Sequence, residues 1–201
     1  MNLRYLGDAL DHWKGSLFEY LANVGVLREF AVDPMASDLL EWAEADYALF
    51  ARLLRVNKSQ IIRHKVRLSD RPRYFAEIIH QGDLFLDPDT GIATSGGGKA
   101  GQYIRPREVV SLLMDVPGRL LAVYQHVRAQ KVMARVDTCI ATVAKDIENF
   151  GWCSYESGTV AMLFLSHQPD RTKDVGKALE GLLGRHAVQR VRVGVNRSSG
   201  G

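Results

Sequence analysis

The 201 residues suit one generous domain, since roughly 100–200 residues is the usual span of a single core. A composition with 46% hydrophobic and 24% charged residues excludes intrinsic disorder, and apolar stretches such as Leu120-Leu121-Ala122-Val123-Tyr124 fall far short of the roughly 20 residues a membrane-spanning helix needs. Twenty-six basic against 23 acidic residues leave a net charge of +3, which permits nucleic acid as a partner without requiring it.

The opening MNLRYLGDALDHWK carries acidic residues where a secretory leader would place its apolar core, so cytoplasmic residence is the expectation. From Asp8 to Asn23, Leu10, Trp13, Leu17 and Leu21 recur at helical spacing, with Gly25 where such a helix would stop. Leu27 to Val32 reads as a short strand delivering Asp33-Pro34, and the proline enforces a break before a helix from about Ser37 to Leu54. In Ile61 to Arg67 the residues alternate, with Ile62, His64 and Val66 on one face of a half-exposed strand and Arg63, Lys65 and Arg67 on the other. A short helix, Pro72 to Ile79, leads into a covered strand, Asp83 to Leu86, that ends at Asp87-Pro88-Asp89-Thr90-Gly91.

Ser95 to Gly101, SGGGKAG, is too glycine-rich to hold one conformation and reads as a mobile loop or lid. A helix from Pro106 to Met114 and a buried strand from Leu120 to Tyr124 follow, the strand ending at Gln125-His126. Val132, Val136, Ile140, Val143 and Ile147 fit a long helix from Arg128 to Phe150 closed by Gly151. Strands at Val160 to Leu165 and Val188 to Val195 flank a last helix, Arg171 to Leu183. Alternating strands and helices predict a single Rossmann-like α/β domain over residues 1–197, with a mostly parallel sheet and helices on both faces. Residues 198–201 read as a disordered tail.

In such sheets ligands bind beyond the carboxyl ends of the strands, which selects Asp33, His64, Asp87, Asp89, Gln125, His126 and Arg128. Asp87 and Asp89 flank a proline in a tight turn where two carboxylates can face one magnesium or manganese ion, with Asp33 completing the shell. The same five residues are also good turn chemistry in their own right. His126 reads as general base, metal ligand or structural histidine, and His64 as a core histidine. Gln125 and Arg128 are candidate substrate residues, Arg128 as a bidentate phosphate ligand or a partner for a nearby carboxylate.

Asp8, Asp11 and Lys14 lie within two helical turns; a surface ion pair or a phosphate-binding Lys14 are the two readings. Basic residues crowd Arg52 to Arg73, making Arg63, Lys65 and Arg67 candidate nucleic-acid contacts, with Lys99 of the glycine loop beside them. SGGGKAG is not a Walker motif, because Ala100 follows Lys99, and no G-x-G-x-x-G follows the first strand. Cys139 and Cys153 form no disulfide framework and lack metal-finger spacing.

Taken in order, Tyr5-Leu6-Gly7-Asp8, Asp11, Lys14, Phe85 to Gly91, Tyr124-Gln125-His126 and Arg128 resemble an uncharacterised family of bacterial and phage-borne proteins with Y-x-G-D, F-D-P-D-x-G and Y-Q-H motifs. That family is in turn distantly similar to the ribosomal RNA adenine methyltransferases, whose opening helix and Asp-Pro-Pro-Tyr loop line the catalytic pocket. The resemblance covers most of the chain and implies a methyltransferase-like fold, S-adenosylmethionine as cofactor, and Asp11, Lys14 and Asp87 in the pocket. Asp89-Thr90 stands where those enzymes have Pro-Tyr.

The leading expectation is a metal-dependent hydrolase of phosphodiester or phosphate ester bonds, nuclease-like, with Asp87, Asp89, His126 and Lys14 at its centre. The alternatives are a nucleic-acid methyltransferase and a non-catalytic subunit binding nucleic acid or protein.

Overall fold

The computed structural model describes residues 1, 3–36, 41–66, 69–78, 80–94, 100–127 and 131–196. Eight strands and six helices alternate through it: α1 Ala9–Asn23, β1 Ala31–Asp33, α2 Glu44–Leu53, α3 Arg71–Ala76, β2 Leu84–Leu86, β3 Gly91–Ile92, β4 Tyr103–Ile104, α4 Pro106–Asp115, β5 Leu121–His126, α5 Val132–Val143, β6 Phe150–Ser157, β7 Val160–Ser166, α6 Pro169–Leu183 and β8 Val191–Asn196. Six strands form one sheet in the order β1-β2-β5-β7-β6-β8, and β3 pairs with β4 separately. No helix among the described residues is long and apolar enough to cross a membrane.

The period-two alternation of the strands divides the interior into two cores. Val32, Phe85, Ala122, Tyr124, Met162 and Phe164 face a core completed by Leu17, Phe18 and Leu21 of α1, Phe50 of α2 and Val175 and Leu179 of α6. Their strand neighbours Ala31, Leu84, Leu86, Leu121, Val123, Leu163 and Leu165 face Tyr74 and Phe75 of α3, Val109 and Leu112 of α4, and Val136 and Ile140 of α5. Helices therefore cover both faces of an α/β sheet, as expected.

The sheet is mixed rather than mostly parallel. β1, β2 and β5 run parallel, with Asp33 beside Leu86 and Leu86 beside Val123. β7 joins β5 antiparallel, and β6 and β8 continue antiparallel. The expected helix to Phe150 stops at Val143, and Phe150-Gly151 instead open β6. Gly151 serves close packing: a Cβ there would stand 2.4 Å from Thr172 Oγ1 and 2.5 Å from Pro169 Cα, so its lack of a side chain lets α6 approach the strand.

Two further expectations change. Residues 61–66 form no strand; a parallel bridge joins Ile61 to Val32, and Arg63, His64 and Lys65 are exposed, so His64 is not a core histidine. Backbone bonds from Ile62 to Val32 O (2.8 Å) and from Val66 to Ala36 O (2.7 Å) fasten only the segment's ends. α2 begins at Glu44 rather than Ser37, where Asp46 accepts the Ala43 N–H at 2.8 Å and satisfies one orphan donor of the helix start. Residues 37–40, the core of the glycine-rich loop at 95–99 and the tail at 197–201 lie outside the described residues.

Candidate functional site

The parallel strands bring Asp33, Asp87 and the pair Gln125-His126 to one edge of the sheet, as the strand-end rule requires. Alternation then separates the carboxylates. Val32 and Phe85 point toward α1, so Asp33, one residue after Val32, points away, while Asp87, two residues after Phe85, points toward α1. The contacts agree with that parity. Asp33 accepts the Tyr74 hydroxyl from α3 and the Met35 N–H at 2.7 Å, whereas Asp87 meets Lys14 of α1. Asp33 does not complete a shell with Asp87 and Asp89. Its complete burial pushes the carboxyl up to about 6, although both hydrogen bonds pull the other way.

On the α1 side, Lys14 Nζ donates to both Asp87 oxygens, at 2.9 and 2.8 Å, and to Asp11 Oδ1 at 3.0 Å. The i,i+3 spacing places Asp11 and Lys14 on one face of α1, and Asp8 caps the helix by accepting Leu10 N–H at 2.8 Å and Asp11 N–H at 3.2 Å. The second Asp11 oxygen accepts Gly7 N–H at 2.9 Å. Exposure of Lys14, Asp11 and Asp87 is 3%, 1% and 2%, so the trio is a desolvated unit. Burial works to strip the Lys14 proton, but Asp87 and Asp11 outweigh it and hold the ammonium above its ordinary value; burial lifts Asp11 against the pull of Lys14. Lys14 thus has its charge compensated twice over within the fold, by a buried rather than a surface ion pair.

Tyr124 lies beside the trio, with Lys14 Nζ 4.2 Å from its ring centroid, and His126 packs edge-on against it at 4.8 Å. Above them is a hollow of about 30 Å³ whose wall includes Tyr5, Asp8, Asp89, Tyr124 and His126. The Tyr124 hydroxyl is buried and has no hydrogen-bond partner among the described residues. Burial, with Asp87, Asp8 and Asp11 nearby, raises its pKa far above that of a free phenol. The Met1 ammonium also reaches this edge, 3.5 Å from Asp89 and donating to Pro34 O at 2.5 Å. Tyr124 was not singled out from the sequence by itself, although the alternation that puts Ala122 toward α1 puts Tyr124 there too.

Gln125 is a fastener rather than a substrate residue. Its fully buried amide accepts Ile92 N–H and donates to Thr90 O and His126 O, each at 2.8 Å, and it accepts the Cys139 thiol at 3.3 Å. Gly91 adopts φ +114°, and a Cβ there would stand 2.3 Å from Gln125 Oε1, so only glycine lets the turn close on this amide. The Asp-Pro-Asp-Thr-Gly turn is thereby clamped from β5.

The basic segment is largely neutralised by acids from elsewhere in the chain. Arg63 grips Glu44 with two bonds at 2.6 and 3.2 Å, and Lys58 adds a second cation to that carboxylate at 3.7 Å. Arg71 is buried against Glu108, Arg73 pairs with Glu77 at 2.7 Å, and Arg55 pairs with Glu19. Lys65 is exposed. Arg67, Lys99 and Arg128 lie outside the described residues.

Among the described residues no three His, Cys, Asp or Glu side chains are grouped to hold a metal ion, and the Asp33 carboxylate is on the opposite sheet face from Asp87. Where S-adenosylmethionine would require a backbone that lets it approach after β1, Asp33-Pro34-Met35-Ala36 are buried, without glycine, and the carbonyl of Ala36 holds Val66.

Neither a protein-family model nor a curated protein matches the chain. Among solved structures it is similar to protein LPL1258 of Legionella pneumophila str. Philadelphia 1, described under the family model DUF519, at 10% identity and a TM-score of 0.33, over 96% of this chain and 97% of that one.

Proposed function

We propose that the chain is a non-catalytic binding subunit on a Rossmann-like domain, and that its strand-end hollow receives a cationic group of a protein partner. The observation that carries this reading is the closed Lys14–Asp11–Asp87 trio beneath a wall of acceptors. Lys14 donates to both Asp87 oxygens, so Asp87 already has a buried cation as its partner. Asp8 and Asp89 give the wall an acidic sign, which attracts a cation and repels the phosphates of nucleic acid. Fluorescence anisotropy with a lysine-rich peptide, an acidic peptide and an oligonucleotide tests the reading. Saturable binding of the lysine-rich peptide alone, weakened by Asp89→Asn, is expected. Hydrolysis of a phosphodiester with magnesium or manganese, or preferential binding of the oligonucleotide, would overturn it.

A second reading is favoured by one observation. Asp11, Lys14 and Asp87, the three residues that the methyltransferase resemblance implicates, come from distant segments and meet in space. A base-modifying enzyme using S-adenosylmethionine would account for that meeting. Stabilisation by S-adenosylhomocysteine in a thermal melt separates this reading from the first, because a ligand bound only by the folded state raises Tm.

A further inference from the structure

We infer that the hollow beside Tyr124 is a seat for one primary ammonium group, with the Tyr124 hydroxyl as its buried acceptor. This deepens the binding reading and rests on it. Tyr124 is 2% exposed, and its hydroxyl has no partner among the described residues. A buried hydroxyl left without a partner costs free energy comparable to a lost hydrogen bond, so a ligand that donates to it recovers that cost.

The surrounding charges choose the ligand's sign. Asp8, Asp11, Asp87 and Asp89 face the hollow with Lys14 and the Met1 ammonium, four carboxylates against two ammonium groups. One further positive charge is thus favoured; the Met1 amino group rests between Asp89 and the Pro34 carbonyl at the same edge, where burial lowers its pKa against the pull of Asp89 and Asp87. Size narrows the choice. About 30 Å³ is on the scale of one water molecule, which suits the head of a primary amine better than a planar guanidinium or a quaternary ammonium. Three N–H donors can be shared among the Tyr124 hydroxyl and the Asp8 and Asp89 carboxylates, whereas a quaternary ammonium offers none.

Methylammonium chloride added to the full chain is the direct probe, read by thermal shift and isothermal calorimetry against sodium chloride and tetramethylammonium chloride at equal ionic strength. A saturable rise in Tm with methylammonium alone is expected. Tyr124→Phe keeps the ring and deletes only the hydroxyl, and is expected to weaken methylammonium binding about tenfold or more, since hydrogen bonds involving a charged group are the strong class. Equal responses to all three salts, or undiminished binding by Tyr124→Phe, would overturn the inference. Competition separates the two levels. A lysine-rich peptide that binds but is not displaced by methylammonium refutes the ammonium seat and leaves the binding reading standing; failure of both ligands to bind refutes both.

Discussion

Lys14→Met removes the cation from between two buried carboxylates and leaves an unbranched side chain one heavy atom shorter. In the folded chain it leaves Asp11 and Asp87, at 1% and 2% exposure, without their common partner. Removing one member of a buried ion pair typically costs 3–5 kcal/mol, because the remaining charge is neither solvated nor paired. Here two charges remain, although Gly7 N–H still supports Asp11, so a loss of about 4 kcal/mol is expected from a total of roughly 5–15 kcal/mol for a domain. The deficit carries a pH signature. One of the abandoned carboxyls takes up a proton more readily in the folded variant than in the unfolded chain, so stability falls as pH rises from about 4 to 7. The wild type behaves differently at the other end of the scale: the raised Lys14 pKa means its contribution is complete below the ordinary lysine value and is lost only as pH climbs through the folded value. Urea unfolding of both proteins at pH 5 and pH 7 measures this directly, with equal m-values confirming that the same transition is compared. The double variant Lys14→Met with Asp87→Asn, which removes one of the two stranded charges, should recover part of the loss. A Lys14→Met deficit under about 1 kcal/mol, or one independent of pH, would refute the claim that this trio is a desolvated unit.

Three other outcomes follow from the same geometry. Asp33 titrates near 6 in the fold against 3.8 ordinarily, a difference of about 2 units; the folded state therefore binds the proton more tightly, and its stability falls by about 3 kcal/mol as pH rises from 3.8 through 6. Asp33→Asn should abolish that slope and gain up to about 3 kcal/mol at pH 7, read by denaturation across pH 4 to 8; an unchanged slope would show that another group is responsible. Gly91→Ala must place a Cβ against the Gln125 amide at φ +114° and should lose about 2 kcal/mol or more by thermal melting, whereas Gly158→Ala, with open space around it, should lose far less. Burial pushes the Cys139 thiol up to about 11 and Cys153 higher still, so neither should react with a disulfide reagent at pH 8 until the chain is unfolded; rapid labelling of the native protein would contradict their burial.

Local chemistry made much of the architecture readable. The stripe of Leu10, Trp13, Leu17 and Leu21 announced α1, Pro106 opened α4, and the apolar run before Asp87 marked a covered strand. What failed depended on partners remote in the chain. Ile61 to Val66 alternates like a strand, yet β1 is only three residues long and offers it a single bridge. The stretch after Val143 continues a helical apolar pattern through Ile147, but Gly151 to Ser157 pair residue by residue with Ser166 to Val160 of β7, and tertiary pairing overrides the local period. The basic run from Arg52 to Arg73 likewise suggested a positive surface because the acids that neutralise much of it, at 19, 44 and 108, are distant in sequence.

The site itself turns on parity. Asp33 and Asp87 both stand at the ends of parallel strands and both precede proline, so proximity along the edge argued for one shared centre. In β1 the aspartate follows the α1-facing Val32 by one residue, and in β2 it follows the α1-facing Phe85 by two. That single-residue difference assigns Asp33 to Tyr74 and a proton-retaining pocket, and assigns Asp87 to Lys14 and a compensated ion trio. The expectation could have been refined by counting from each strand's inward residue, had the register of Val32 beside Phe85 been known; it is fixed by the pairing of two segments some fifty residues apart, which neither displays alone. Moving Asp33 to the α1 face by a one-residue insertion after Val32 would also turn the following Pro34 and Met35 out of their buried positions, so the two carboxylates are held apart by the same packing that builds the sheet edge.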